Sequence, residues 1–187
     1  MVQKHVELVK KVCLLGDPGV GKTSLVRRFV LDQFDDHYLT TIGAKVTKKT
    51  NVMDVLEHDL RVHLNLMIWD VAGHKEYRQF HEMYLRGMEG VMSVADLTRA
   101  STFEGLKSSM TMVQQNSPAV PVVFLLNKCD LADPSSKDLQ DIMSLAGARK
   151  IPVLPTSAKT GQNVEKAFDS LAQMMVGDWV RKKFGGP

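Results

Sequence analysis

Cysteine is nearly absent from this chain: Cys13 and Cys129 are the two in 187 residues, and neither belongs to a CxxC pair. That excludes a disulfide framework and thiolate-rich zinc modules, and it points to a reduced, cytoplasmic setting with both thiols as packing residues. Long apolar runs are missing as well. The longest, VPVVFLL from Val120 to Leu126, falls far short of the ~20 residues a membrane-crossing helix needs. The N-terminal MVQKHVELVKK interrupts its apolar residues with charges, so no signal-peptide core is expected. An excess of one charge sign is also lacking: 24 basic against 21 acidic side chains leave a net +3, and aromatics make up 6%. With no basic run interleaved with aromatics, no nucleic-acid surface is expected. His5, His37, His58, His63 and His81 show no metal-ligand spacing.

What is present fits a soluble globular chain, 44% hydrophobic and 24% charged, of a length suited to one domain spanning 1–187. The 11 methionines read as flexible core filler. Short apolar runs alternate with segments of helical period, the pattern of βαβ units around a parallel sheet. Buried strands are expected at Val6–Leu15, Gly90–Asp96, Val120–Asn127 and Ile151–Leu154. Leu60, Val62, Leu64, Leu66 and Ile68 alternate strictly, which predicts a strand pairing with a hairpin partner over Ala44–Val55. Helices are expected at Lys22–Asp32, Lys75–Arg86, Phe103–Asn116, Lys137–Ala146 and Asn163–Lys183. In the last, Val164, Phe168, Leu171, Met175 and Trp179 form one apolar stripe suited to packing on the sheet.

Directly after the first strand stands GDPGVGKT, Gly16 to Thr23, leading into a helical pattern. It matches G-x-x-x-x-G-K-[ST] in the strand–loop–helix context that gives the motif its meaning. Glycines let backbone N–H groups turn inward as an anion nest, and the helix start adds its positive dipole end. Asp17, Pro18, Gly19, Val20, Gly21, Lys22, Thr23 and Ser24 are therefore candidates to hold a nucleotide, with Lys22 reaching the β- and γ-phosphates and the Thr23 hydroxyl a metal ligand. Base choice points to NKCD, Asn127 to Asp130, at a strand's end. The Asp130 carboxylate can accept from both N1–H and the N2 amino group of guanine, whereas adenine would leave it unpaired. Asn127 can bond N7, and the Lys128 stem can cover the ring. A further strand runs into TSAK, where Ser157, Ala158 and Lys159 follow Thr156 and the Ala158 N–H suits the guanine O6.

With GDPGVGKT, TTIG, WDVAGH, YLRGMEG, NKCD and TSAK in this order over nearly the whole chain, the sequence resembles the Ras-like small GTPases, and in its local wording their Rab-like members. The resemblance implies an α/β, single-domain P-loop GTPase fold: a mainly parallel six-stranded sheet with one antiparallel strand and helices on both faces. It implies GTP and GDP as ligands with Mg²⁺ held by Thr23, Thr41 and Asp70. Lys22, Thr41, Gly73 and His74 would form the catalytic set, with the Gly73 N–H on the γ-phosphate, Tyr38 folded over the phosphates and Phe34 edge-on to the base. Effector, exchange-factor and GTPase-activating proteins are the implied partners of a monomer that releases its switch loops on hydrolysis.

Four departures bear on rate and partners. His74 stands where glutamine orients the attacking water; with a reference pKa near ~6.5, part of the imidazole is protonated at pH 7 and unable to accept. Slow unassisted turnover is expected, as in the translation-factor GTPases that place histidine there, while an outward-turned His74 without a role is the alternative. Pro18 removes one loop N–H and crowds the approach of an activating arginine, which elsewhere gives ~10³–10⁵ in rate. Thr41 to Asp70 spans more positions than is usual, lengthening the hairpin near Asn51–Arg61. The tail RKKFGGP lacks a prenylation cysteine, so no stable membrane anchor is expected, and Arg181, Lys182 and Lys183 read as a solvated helix end. The expected function is a guanine-nucleotide switch that hydrolyses GTP slowly. The alternative is a GTP-binding interaction module with negligible hydrolysis; a membrane-trafficking role would need an anchor.

Overall fold

Strands β1 (Lys4–Leu15), β2 (Ala44–Val55), β3 (Leu60–Val71), β4 (Gly90–Asp96), β5 (Val122–Asn127) and β6 (Val153–Pro155) form one sheet in the order β2-β3-β1-β4-β5-β6. The computed structural model describes residues 4–35, 37, 39–73, 83–131 and 137–185, without the side chains of 116, 137–139, 141 and 145. β2 and β3 pair antiparallel, and the other neighbours are parallel, which is the mixed sheet the resemblance implies.

The period-2 geometry of a strand sends alternate side chains to opposite faces, and both faces are apolar in the central strands. Val12, Leu14, Met92, Val94, Val123 and Leu125 share one cluster with helices α1 (Lys22–Leu31) and α4 (Val164–Phe184). Ala95, Phe124 and Leu126 point the other way, onto α2 (Phe103–Asn116) and α3 (Lys137–Ala148). Cys13, Leu15 and Val91 pack on that second side with Leu85, Met88 and Val113. Helices thus cover both faces. The α4 stripe behaves as its spacing predicts: Val164, Phe168, Leu171 and Met175 are buried and Trp179 packs beside them partly covered. Phe168 stacks on Phe29 of α1 with centroids 4.0 Å apart, and each such buried side chain stabilises the fold by ~1.5–3 kcal/mol.

The hairpin runs in unbroken register from Ala44↔Val71 to Val55↔Leu60 and turns through a single 3-10 turn, Leu56–His58, with Asp59 left-handed at φ 53°. β1 begins two residues earlier than its apolar pattern suggests, because the long β3 offers it a partner: Lys4 pairs with Leu60. α4 braces the extension, with Asn51 Nδ2 donating to Asp169 Oδ1 at 3.0 Å and the His58 ring stacked on Phe184 at 4.4 Å.

Two further strand starts differ from expectation. β5 begins at Val122, not Val120, since the Val120 N–H closes a turn onto Ser117 O. β6 begins at Val153, since the Ile151 N–H satisfies Ala146 O at the end of α3. Of the helix expected at Lys75–Arg86, residues 75–82 lie outside the described residues and 83–85 are helical. No helix among the described residues is long and apolar enough to cross a membrane.

Candidate nucleotide-binding site

The carboxyl ends of β1, β4, β5 and β6 open on the same edge, where an open α/β sheet leaves a crevice beyond its strands. A cleft of about 370 Å³ lies there. Pro18, Gly19, Gly21, Lys22, Thr23 and Ser24 line it from the loop between β1 and α1. Phe34, Thr41 and Gly73 come from the two segments flanking the hairpin, and Asn127, Lys128, Asp130, Ala158 and Lys159 from the loops after β5 and β6. Three motifs distant in sequence therefore share one wall. Asp17, Val20 and Ser157 do not line the cleft; Val20 and Ser157 are fully buried beneath it. Tyr38 and His74 lie outside the described residues.

The loop's tightness explains its glycines. Gly21 sits at φ 97° before the first turn of α1, and a Cβ there would fall 2.2 Å from the Asn127 amide nitrogen. A Cβ on Gly73 would fall 2.4 Å from Gly16 O and 2.8 Å from Lys22 Nζ, so only glycine lets that segment approach the loop. Asn127, 1% exposed, donates from Nδ2 to Val20 O at 2.8 Å and accepts at Oδ1 from the Ala158 N–H at 3.2 Å. It ties the phosphate-type loop to the TSAK loop, a bracing role beyond the N7 contact its motif predicts.

Lys22 Nζ donates to Gly16 O at 2.8 Å and Asp17 O at 3.0 Å. Burial pulls its ammonium down to about 8, against the favourable charges of Asp70 and Asp17. An anion beside it would favour the charged form. Thr23 Oγ1 donates to Asp70 Oδ2 at 2.5 Å and lies 3.0 Å from Thr41 Oγ1. Burial raises the Asp70 carboxyl, opposed by the Thr23 hydrogen bond and the Lys22 charge. Asp70 Oδ1 is buried with no hydrogen-bond partner among the described residues. A buried carboxylate oxygen left unpaired beside two hydroxyls is a hard-oxygen set short of a ligand, and it fits Mg²⁺.

Asp96, its side chain 1% exposed at the end of β4, organises the rim. Oδ2 accepts from Lys128 Nζ at 2.7 Å and Arg99 Nε at 2.9 Å; Oδ1 accepts from the Thr98 N–H and hydroxyl. Arg99 Nη2 continues to Pro18 O at 2.9 Å. Sequence reading ends a strand at Asp96 without assigning it this bracing role; its place at a strand's carboxyl end was the available signal. Arg27, Asp35, His37, Leu39 and Leu131 also line the cleft without a motif to announce them.

Burial alone would raise Asp96, but the bonds from Lys128, Thr98 and Arg99 outweigh it and hold the carboxyl below its usual range. A depressed folded-state pKa adds stability that is present above the unfolded value near ~4 and lost as pH falls through the folded one. Asp96→Asn is therefore expected to lower stability at pH 7 by ~1–3 kcal/mol, with the gap from wild type narrowing below pH ~4. Urea unfolding at pH 7 and pH 3 measures it, and a gap equal at both would remove the carboxylate as the cause.

A sheet of this order, a glycine-tight loop between β1 and α1, and guanine-type motifs after β5 and β6 define a Ras-like protein. The chain belongs to the Ras family, whose family model matches residues 11–177. It is similar to Ras-related protein Rab-22A of Mus musculus, at 37% identity over 164 residues, covering 87% of this chain and 81% of the relative. Ras-related protein Rab-13 of Canis lupus familiaris is 35% identical over 164 residues, 87% of this chain and 78% of its own. GTP-binding protein ypt5 of Schizosaccharomyces pombe is 37% identical over 172 residues, 91% and 79% of the two chains. Rab-like is thus the right description of its relatives.

Proposed function

We propose that this chain, as one domain over 1–187, binds GTP and GDP with Mg²⁺ and hydrolyses GTP slowly as a molecular switch. Family membership implies the coarser statement, a GTP-binding GTPase switch. The observation that carries the finer one is the convergence of the β1–α1 loop, Thr41, Gly73, Asp130 and Ala158 on one cleft beside the unpaired Asp70 oxygen. In this reading the loop from Asp17 to Ser24 wraps the phosphates and Lys22 faces the β- and γ-groups. Asp130 and Ala158 read the base, covered by Phe34 and Lys128. Thr23, Thr41 and Asp70 would hold Mg²⁺, which when bound neutralises phosphate charge. Water adds to the γ-phosphorus, the bond to the β–γ bridging oxygen breaks, and GDP and phosphate leave. Effector, exchange-factor and activating proteins would read the switch loops of a cytoplasmic monomer.

His74 sets the rate in this proposal. Neutral imidazole can accept from water and imidazolium cannot, so single-turnover hydrolysis without partners should rise with pH through the histidine pKa near ~6.5. His74→Gln should speed it. A flat profile from pH 5.5 to 8.5 would remove the side chain from the step. The second reading, a binding module without turnover, draws on His74 and Pro18 together; Pro18 lines the cleft, and Arg99 Nη2 donates to its carbonyl. Hydrolysis no faster than in buffer would favour that module.

A further inference from the structure

α1 ends at Leu31, and Asp32 leaves it in the left-handed region at φ 51°, its N–H closing on Arg28 O. One turn earlier, Arg28 extends its guanidinium to the loop after β6. Nε donates to Ala158 O at 2.9 Å and Nη2 to Lys159 O at 2.6 Å, across sequence separations of 130 and 131 residues. Nη1 donates to Asp32 O at 3.2 Å and Asp32 Oδ1 at 3.0 Å. The side chain as a whole is 19% exposed, with the Nε bond part-buried. Its Asp32 contact by itself is an exposed i,i+4 pair of little energetic weight. The two carbonyl bonds are different: they fix a loop with no regular structure of its own.

Those carbonyls belong to the residues that the proposed function gives to the base. In that reading the Ala158 N–H, shared with Asn127 Oδ1 at 3.2 Å, is the donor for guanine O6, and Asp32 is two residues before Phe34, the aromatic beside the ring. One planar fork therefore joins both base-contacting segments, and Arg28 itself is not among the residues that line the cleft. Lysine would keep the charge but not the rigid planar fork whose separate arms meet the Ala158 and Lys159 carbonyls and Asp32 together.

We propose that Arg28 is a positioning residue for guanine recognition, setting base selectivity and the lifetime of the bound nucleotide without touching it. This rests on the guanine-binding reading above.

The test compares the full chain with Arg28→Met, which keeps the stem and loses the donors, and Arg28→Lys, which keeps the charge. The probes are GDP, ADP and 2-aminopurine riboside diphosphate, which lacks the O6 acceptor and with it the N1–H but keeps the 2-amino group. Arg28→Met should release GDP about tenfold faster, from two lost charge-assisted bonds, and lower the preference for GDP over the 2-aminopurine diphosphate by a similar factor. Arg28→Lys should lie nearer to Arg28→Met than to wild type, and it makes the same comparison if the methionine variant does not fold. Equal weakening of both nucleotides, with the preference unchanged, would overturn the proposal and leave Arg28 a general brace. A wild-type protein that binds ADP as well as GDP would instead sink the guanine reading underneath it.

Discussion

Asp130→Asn is expected to exchange guanine preference for xanthine preference. The carboxylate has acceptors alone, and guanine offers it two donors, N1–H and the N2 amino group. Asparagine keeps one acceptor for N1–H and turns an NH₂ toward position 2, where guanine also donates and xanthine carries an oxygen. Two donors then face each other with guanine, and a donor meets an acceptor with xanthine. Sites built on such pairs reject the mismatched ligand by up to ~10⁴–10⁵. Since Asp130 stands at an exposed edge of the cleft, where water can relieve part of the mismatch, a loss of about 10³ in GDP affinity is the expected result. Competition binding of GDP, XDP and ADP measures it, and retained guanine selectivity would remove Asp130 from base recognition.

Lys22→Ala is expected to act on the other end of the ligand. Lys22 is 6% exposed, and its ammonium reaches two loop carbonyls, Gly16 O and Asp17 O. Removing a buried, hydrogen-bonded charge from opposite a phosphate costs ~2–5 kcal/mol, hence a loss of roughly 30-fold to several thousand-fold in nucleotide affinity. The loss should be the same for GDP and for XDP bound to Asp130→Asn, and absent for guanosine, which has no phosphate. A comparable loss of guanosine binding would mean that the substitution had unmade the loop rather than a phosphate contact. The two variants together separate base reading from phosphate holding in a single cleft.

Much of this arrangement was legible in the chain because its signals are local. Strict alternation from Leu60 to Ile68 predicted a strand, and the spacing from Val164 to Trp179 predicted a helix laid on the sheet; both side-chain sets pack as predicted. The loop from Gly16 to Thr23 announced itself by glycine, since a tight backbone turn has that residue requirement wherever it occurs. Strand limits were less legible. Val120 and Ile151 are apolar and β-favouring, yet their N–H groups close the turn on Ser117 and the end of α3, and hydrogen-bond satisfaction outweighs propensity at an element's edge.

By itself, then, the sequence determined which groups carry donors, acceptors and charge, and the order in which strands deliver them to one edge of a sheet. Tertiary structure alone decided what holds those groups still. Asp96 meets Lys128 and Arg99, Asn127 joins two loops, and Arg28 spans 130 residues to the carbonyl of Ala158. The Asp96 pairs join side chains, but the bonds of Asn127 and Arg28 run to backbone groups that recur along nearly the whole chain. No pattern of residue types marks their acceptors, so they become visible only when the folded chain brings them within 3 Å.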